Sequence, residues 1–276
     1  LAISLNEPYI KLNLVSFKHA KILRFSDIIL SSIFSAYDRM HIDTFSGSAF
    51  RIAEAASIIA KWRRKKLILT LHGGKLPEFF KDSAERVKRV FARADYIQTP
   101  SLYLKNFFAK QDITVNYLPN SIDLSRFPYS RENVKPQALL WVRAFTEIYN
   151  PDLPVWILHE IKKIYPDATL TMVGPDKGLL SETKTLIKKL GLNSSVNITG
   201  PVPNDSLYSY YQSHEVFLNT TSYESFGDAV LEAAACGIPV VSSKVGELPY
   251  LWKHEEDILM VEKMEPDEFC LAIQRL

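Results

Sequence analysis

Glu224 and Glu232 stand eight positions apart in the apolar stretch 221–241, TSYESFGDAVLEAAACGIPVV. A carboxylate in apolar surroundings is costly unless something pairs with it or hydrogen-bonds to it. The apolar run EVFLN at 215–219 precedes the pair and reads as a strand, and 228–236 reads as a helix. Glu224-Ser225-Phe226-Gly227 is then the turn from a strand's carboxyl end into a helix N-terminus. Such a turn offers unpaired N–H groups and a positive dipole end, which suit phosphate. Gly227 lets the backbone come close to a ligand. A carboxylate accepts both hydroxyls of a vicinal diol, as acids do for ribose in dinucleotide sites. Two acids around a phosphate-friendly turn therefore suit a sugar–diphosphate–nucleoside. The competing reading makes Glu224 a plain loop residue and Glu232 an exposed helix position.

The elements that must position these residues come in two series. In the first, 40–45, 66–72, 95–100 and ITVNYLP read as strands, with helices over 48–62, 78–94 and SLYLKNFFAK between them. The polar stretch 128–137, with a proline near each end, reads as a linker. Beyond it, ALLWV, ATLTMVG, VNIT, EVFLN and IPVVSS read as strands, alternating with helices over 152–165, 179–190, 205–212 and 228–236. Strands apolar throughout, such as LILTL, fit a parallel sheet covered on both faces. The alternation predicts an α/β chain of two doubly wound domains, 1–130 and 131–276, with ligands at strand carboxyl ends in a cleft.

Composition narrows the class. The chain has 276 residues and 47% hydrophobic residues, enough for two cores and against disorder. No apolar run is long enough to span a bilayer, and LAISLNEPYIKLNL lacks the pattern of a secretory signal. Cys236 and Cys270 have no metal-ligand spacing and read as small hydrophobes, which points to a cytoplasmic setting. Residues 1–136 carry 22 Lys/Arg against 12 Asp/Glu, and 137–276 carry 11 against 19. The basic cluster Lys61, Arg63, Arg64, Lys65 and Lys66 ends a helix whose other face, Ile52, Ala55, Ile58 and Ile59, is apolar. It either answers the helix dipole or adsorbs to an anionic membrane leaflet, peripherally at the inner face. The interleaved aromatics of a nucleic-acid platform are missing, so no nucleic acid is expected.

The opening stretch resembles the donor-site signature of retaining glycosyltransferases of family 4 (group 1), which have the GT-B fold. Their pattern, E-S-F-G-x-x-x-L-E-A and then G-x-P-V-V, is met by Glu224, Ser225, Phe226, Gly227, Leu231, Glu232, Ala233, Gly237, Pro239, Val240 and Val241. PNSIDLSRF at 119–127, which contains Asn120, ATLTMVGPDKG and LTLHGG are similar to further family motifs. The resemblance runs in order from about residue 38 to 270. It implies that Glu232 holds the nucleotide ribose and that Glu224 contacts the transferred sugar. It also implies that the backbone of 225–227 receives the diphosphate, that Val202 faces the base and that His72 lies by the sugar. Asn120 and Leu231 join the donor-binding set. Arg143 takes the place of the family's diphosphate arginine, and the usual lysine is absent, with Tyr149 near its position.

No D-x-D occurs in the chain, so a metal-independent transfer without cofactor is expected, from a nucleotide-sugar donor to a glycan or lipid-linked acceptor. The opening residues lack the family's first strand and glycine-rich loop, and the chain ends within a helix. Both predict an internal fragment of a longer protein. The competing functions are a nucleotide-sugar-binding domain without turnover and another GT-B enzyme such as an epimerase or phosphorylase.

Overall fold

The computed structural model describes residues 11–16, 20–131 and 133–276. The opening stretch LAISLNEPY lies outside them. The chain forms two compact units, 1–100 with 104–118, and 101–103 with 119–276.

The first unit runs α1 (Lys21–Phe34), β1 (Arg39–Thr44), α2 (Phe50–Trp62), β2 (Lys66–Leu71), α3 (Leu76–Phe91), β3 (Tyr96–Thr99), α4 (Leu102–Ala109) and β4 (Asn116–Tyr117). Its four strands pair in parallel in the order β1-β2-β3-β4. The sequence pattern left α1 unread: the helix has no side-chain N-cap bond. The face that α2 buries is Phe50 with the small residues Ala53, Ala56, Ser57 and Ala60, and not the apolar face of Ile52, Ala55, Ile58 and Ile59. Ile58 is left 51% exposed and Trp62 71%.

The second unit runs β5 (Ala138–Val142), α5 (Asp152–Ile161), β6 (Thr169–Val173), α6 (Leu180–Lys189), β7 (Val196–Gly200), α7 (Leu207–Ser213), β8 (Val216–Asn219), α8 (Asp228–Ala235), β9 (Val240–Ser243), α9 (Leu248–Leu251), β10 (Leu259–Val261) and α10 (Pro266–Ile273). Its six parallel strands lie in the order β10-β9-β8-β5-β6-β7. Side chains alternate across the sheet. Leu139, Trp141, Leu170, Met172 and Leu218 pack on one face with Ile157 and Phe269. Leu140, Val173, Phe217 and Val240 pack on the other with Tyr211, Val230 and Ala233. Both faces are covered, as the apolar strands predict. Cys236 and Cys270 are buried, and burial pushes their thiols up to about 11 and about 12.

The division falls at 118/119, earlier than the expected 130/131, and the stretch 128–137 is no free linker. Phe127 is buried in the second core. Arg131 donates to the carbonyls of Tyr211 and His214, and Lys135 N donates to Ser213 O. A polar, proline-bearing stretch can be fixed by its backbone as well as by a core, and composition does not reveal that. Residues 101–103 group with the second unit because the buried Glu247 carboxylate accepts from Ser101 Oγ and from the N–H groups of Leu102 and Tyr103, at 2.7–2.8 Å.

Candidate functional site

The strand order of the second sheet reverses between β5 and β8. At that switch point the loops leaving the carboxyl ends diverge to opposite faces and leave a crevice. The loop after β5 carries Arg143 and Tyr149, and the loop after β8 carries Glu224. They are laced together. Asn150, in the left-handed region at φ +46°, donates its side-chain amide to Thr220 O and Ser222 Oγ. Thr220 Oγ1 donates back to Tyr149 O at 2.8 Å, and Ser222 N to Ile148 O at 2.7 Å.

Arg143 and Glu224, 81 positions apart, form an ion pair at 2.8 Å with side chains only 11% and 12% exposed. Arg143 also donates to Asn219 Oδ1 through Nε (3.3 Å) and Nη2 (3.0 Å), and its guanidinium carbon lies 5.2 Å from the Tyr149 ring centre. The other Glu224 oxygen accepts from Ser225 N at 3.1 Å and, at 3.5 Å, from Phe226 N. The turn N–H groups expected to receive phosphate are thus held by Glu224 itself. Glu224 is no plain loop residue.

Two glycines fix the backbone here by close approach. A Cβ on Gly174 would lie 1.9 Å from the carbonyl oxygen of Arg143, and one on Gly246 would lie 1.9 Å from that of Glu224. Gly227 precedes α8 at φ +100°, the left-handed region that favours glycine.

Glu232 faces a cleft of about 320 Å³ lined also by Arg143, Tyr149, Gly174, Val202, Asn204 and Asp228. Tyr211 donates its hydroxyl to Glu232 at 3.0 Å. Burial pushes the carboxyl of Glu232 above its ordinary value, and burial likewise raises the Tyr211 phenol. Glu232 is a half-buried wall of the cleft rather than an exposed helix position. Asn120 bonds Asp228 Oδ1 at 3.0 Å and so stands at the cleft margin. Phe226 is buried, and Leu231 is half-buried on α8 away from the cleft lining.

His72 lies in the first unit, past the end of β2. Its Nε2 is 3.3 Å from Asp43 Oδ1 and its ring stacks on Phe45. The hydrogen bond from His72 holds the Asp43 carboxyl below its ordinary value. Asn219, Asp228 and Tyr211 were not foreseen. Only Asn219 left a trace, as a lone amide closing an apolar strand. Among the described residues, no group of three or more His, Cys, Asp or Glu side chains could hold a metal ion.

Residues 126–276, more than half of the chain, match the family described as Glycosyl transferases group 1. The chain is 28% identical over 160 residues to a phosphatidylinositol N-acetylglucosaminyltransferase subunit of Arabidopsis thaliana, covering 57% of this chain and 35% of that one. It is 31% identical over 146 residues to a D-inositol 3-phosphate glycosyltransferase of Acidothermus cellulolyticus, covering 50% and 33%. The chain thus spans about a third of the length of these curated relatives. Anabaena Alr3699/HepE, solved in complex with UDP and glucose, superposes with a TM-score of 0.73 at 19% identity, over 92% of this chain and 71% of that one. The sucrose-phosphate synthase of Thermosynechococcus elongatus does so with 0.71 at 19%, over 91% and 67%. At such identities the likeness is one of fold, and that fold is GT-B, with its two parallel-sheet domains. The chain belongs to the group 1 glycosyl transferases.

Proposed function

We propose that this chain carries the donor site of a retaining, metal-independent hexosyltransferase that moves a sugar from a nucleotide-sugar donor to a glycan or lipid-linked acceptor. The observation that carries the reading is the buried Arg143–Glu224 pair beside Glu232 in the cleft at the switch point. Glu232 accepts from the ribose hydroxyls. Val202 backs the base. Arg143 and the N-terminus of α8 meet the diphosphate, with Tyr149 near the place where the family pattern has a lysine. Arriving phosphate competes with Glu224 for Arg143 and for the N–H of Ser225. Glu224, released, accepts from hydroxyls of the sugar. For His72, paired with Asp43, we keep the sugar-contacting role that the family resemblance implies.

In the transfer, the bond from the anomeric carbon to the leaving phosphate oxygen breaks. A bond to the acceptor oxygen forms on the same face, and the acceptor proton passes to the leaving diphosphate. Charge growing on that diphosphate is met by a fixed guanidinium and by helix N–H groups, which need no reorganisation at the moment of reaction. The chain itself holds no resident cofactor in this scheme. The lipid-linked alternative for the acceptor is supported by the relative whose name contains phosphatidylinositol. A peripheral contact with an anionic membrane is supported by the exposed Lys61 and Arg64 beside Ile58 and Trp62.

Calorimetry in EDTA tests the assignment. Glu232→Ala should weaken both nucleoside diphosphate and nucleotide sugar by about tenfold or more, the loss of a charge-assisted contact. Glu224→Ala removes the competitor for Arg143, so the variant should bind nucleoside diphosphate at least as tightly as the wild type and weaken only the intact nucleotide sugar. Equal losses for both ligands in both variants, or binding that requires added Mg²⁺, would contradict it.

A further inference from the structure

Asn219 ends β8, the strand between β5 and β9, and is completely buried. The rest of that strand, Val216, Phe217 and Leu218, is apolar and equally enclosed. An amide in such a place is costly unless its polar atoms are matched. Here its carbonyl oxygen accepts from Arg143 Nε at 3.3 Å and Nη2 at 3.0 Å. Its nitrogen donates to Ser242 Oγ at 2.9 Å across the neighbouring strand. Ser242 Oγ in turn donates to Ser243 O, so it has a lone pair and no hydrogen to offer Asn219. That chain of donors fixes which end of the amide faces Arg143.

The guanidinium is thereby held along one edge. Nε and Nη2 are engaged below by Asn219, Nη2 also by Glu224, and Tyr149 lies against its face. Among the described residues, Arg143 Nη1 makes no hydrogen bond, and Arg143 lines the cleft. Asn219 is also neutral. A carboxylate at this place would hold the arginine equally well and cancel the charge that a phosphate needs.

We propose that Asn219 is a positioning residue for the donor diphosphate: it grips the Nε–Nη2 edge of Arg143 without neutralising it, which leaves Nη1 for phosphate. The inference rests on the donor-site reading above.

The probe is UDP or GDP, whichever the protein binds, with the matching nucleoside as control, measured by calorimetry on folded variants. Asn219→Leu should weaken the diphosphate about tenfold and leave the nucleoside unchanged. Arg143→Ala should weaken it further, and Asn219→Leu should add nothing in that background. Asn219→Asp keeps the shape and the acceptor toward Arg143 but gives up the donor to Ser242 Oγ, so a purely structural role predicts the same change for diphosphate and for nucleoside. The proposal predicts a loss of about tenfold from charge cancellation. If Asn219→Leu fails to fold, the Asp variant decides. Additive losses with Arg143→Ala, equal losses for diphosphate and nucleoside, or an unchanged Asp variant would each overturn the inference. If Arg143→Ala leaves diphosphate affinity intact, the donor-site reading falls and the inference with it. If Arg143→Ala weakens the diphosphate and neither Asn219 variant does, only the inference falls.

Discussion

Glu232 is set for binding at a cost to the ligand-free fold. Burial raises its carboxyl above the ordinary 4.5, with the Asp228 charge adding and the Tyr211 hydrogen bond opposing. An acid raised on folding favours the folded state while it is protonated. The sign is therefore that stability is fully present below pH 4.5 and is lost as pH rises through the folded value. At neutral pH the ionised Glu232 destabilises the protein. Glu232→Gln should raise the melting temperature at pH 7.5 by a few degrees at most, while weakening nucleoside diphosphate. The gain should shrink as pH falls toward 4.5. Thermal denaturation across that range checks it, and a gain independent of pH would locate the effect elsewhere than in the charge.

At the scale of elements, the switch point between β5 and β8 places Arg143 and Glu224, but the neighbouring loops hold them still. Gly246 lies against the Glu224 carbonyl, and Glu247 N donates to that same oxygen at 3.1 Å. Gly246→Ala would add a left-handed φ of +56° and a backbone clash at once. The expected loss is about 2–4 kcal/mol, with a melting temperature lower by roughly 5–10 °C. Gly191→Ala has a similar φ of +68° with nothing within 4 Å, so it should lose only about 1 kcal/mol. Equal losses in the two variants would show that dihedral strain, not contact with Glu224, governs the site.

For the whole molecule, charge follows the division into units. The first carries 19 Lys/Arg against 10 Asp/Glu, and the second 14 against 21. Not all of the first unit's basic cluster faces outward. Arg63 caps the carboxyl end of α1 through Ser32 O and Ser35 O, and Lys66 pairs with Asp95 at 2.8 Å. Lys61, Arg64 and Lys66 are exposed, Lys66 within its surface ion pair, and Lys61 and Arg64 stand near the apolar Ile58 and Trp62. Among the described residues no helix is long and apolar enough to cross a membrane. Reversing both charges, Lys61→Glu with Arg64→Glu, should lower partition onto phosphatidylglycerol vesicles at least tenfold, at about 1 kcal/mol for each charge removed. Sedimentation with anionic and with phosphatidylcholine vesicles measures this. Undiminished binding by the double variant would rule out the cluster as the contact.

While α1, α9 and β10 went unread, the sequence by itself determined the order of β1 to β9 with the helices between them, the doubly wound class and the placing of Glu224 and Glu232 around a helix start. These are local properties: hydrophobic period, a glycine before a helix and an eight-residue spacing need no distant partner. Only the tertiary structure decided that Arg143 pairs with Glu224, that Tyr211 donates to Glu232 and that Asn219 lies beneath the guanidinium. Those partners are 81, 21 and 76 positions apart. Arg143 meets Glu224 and Asn219 because the sheet order sets β5 beside β8, and Tyr211 meets Glu232 because α7 lies against α8; nothing in either strand's own residues states which neighbour it takes. The unit boundary at 118/119 and the claiming of Arg63 by the end of α1 and of Lys66 by Asp95 have the same origin. A backbone segment or a charge is claimed by whatever the fold brings within hydrogen-bond reach.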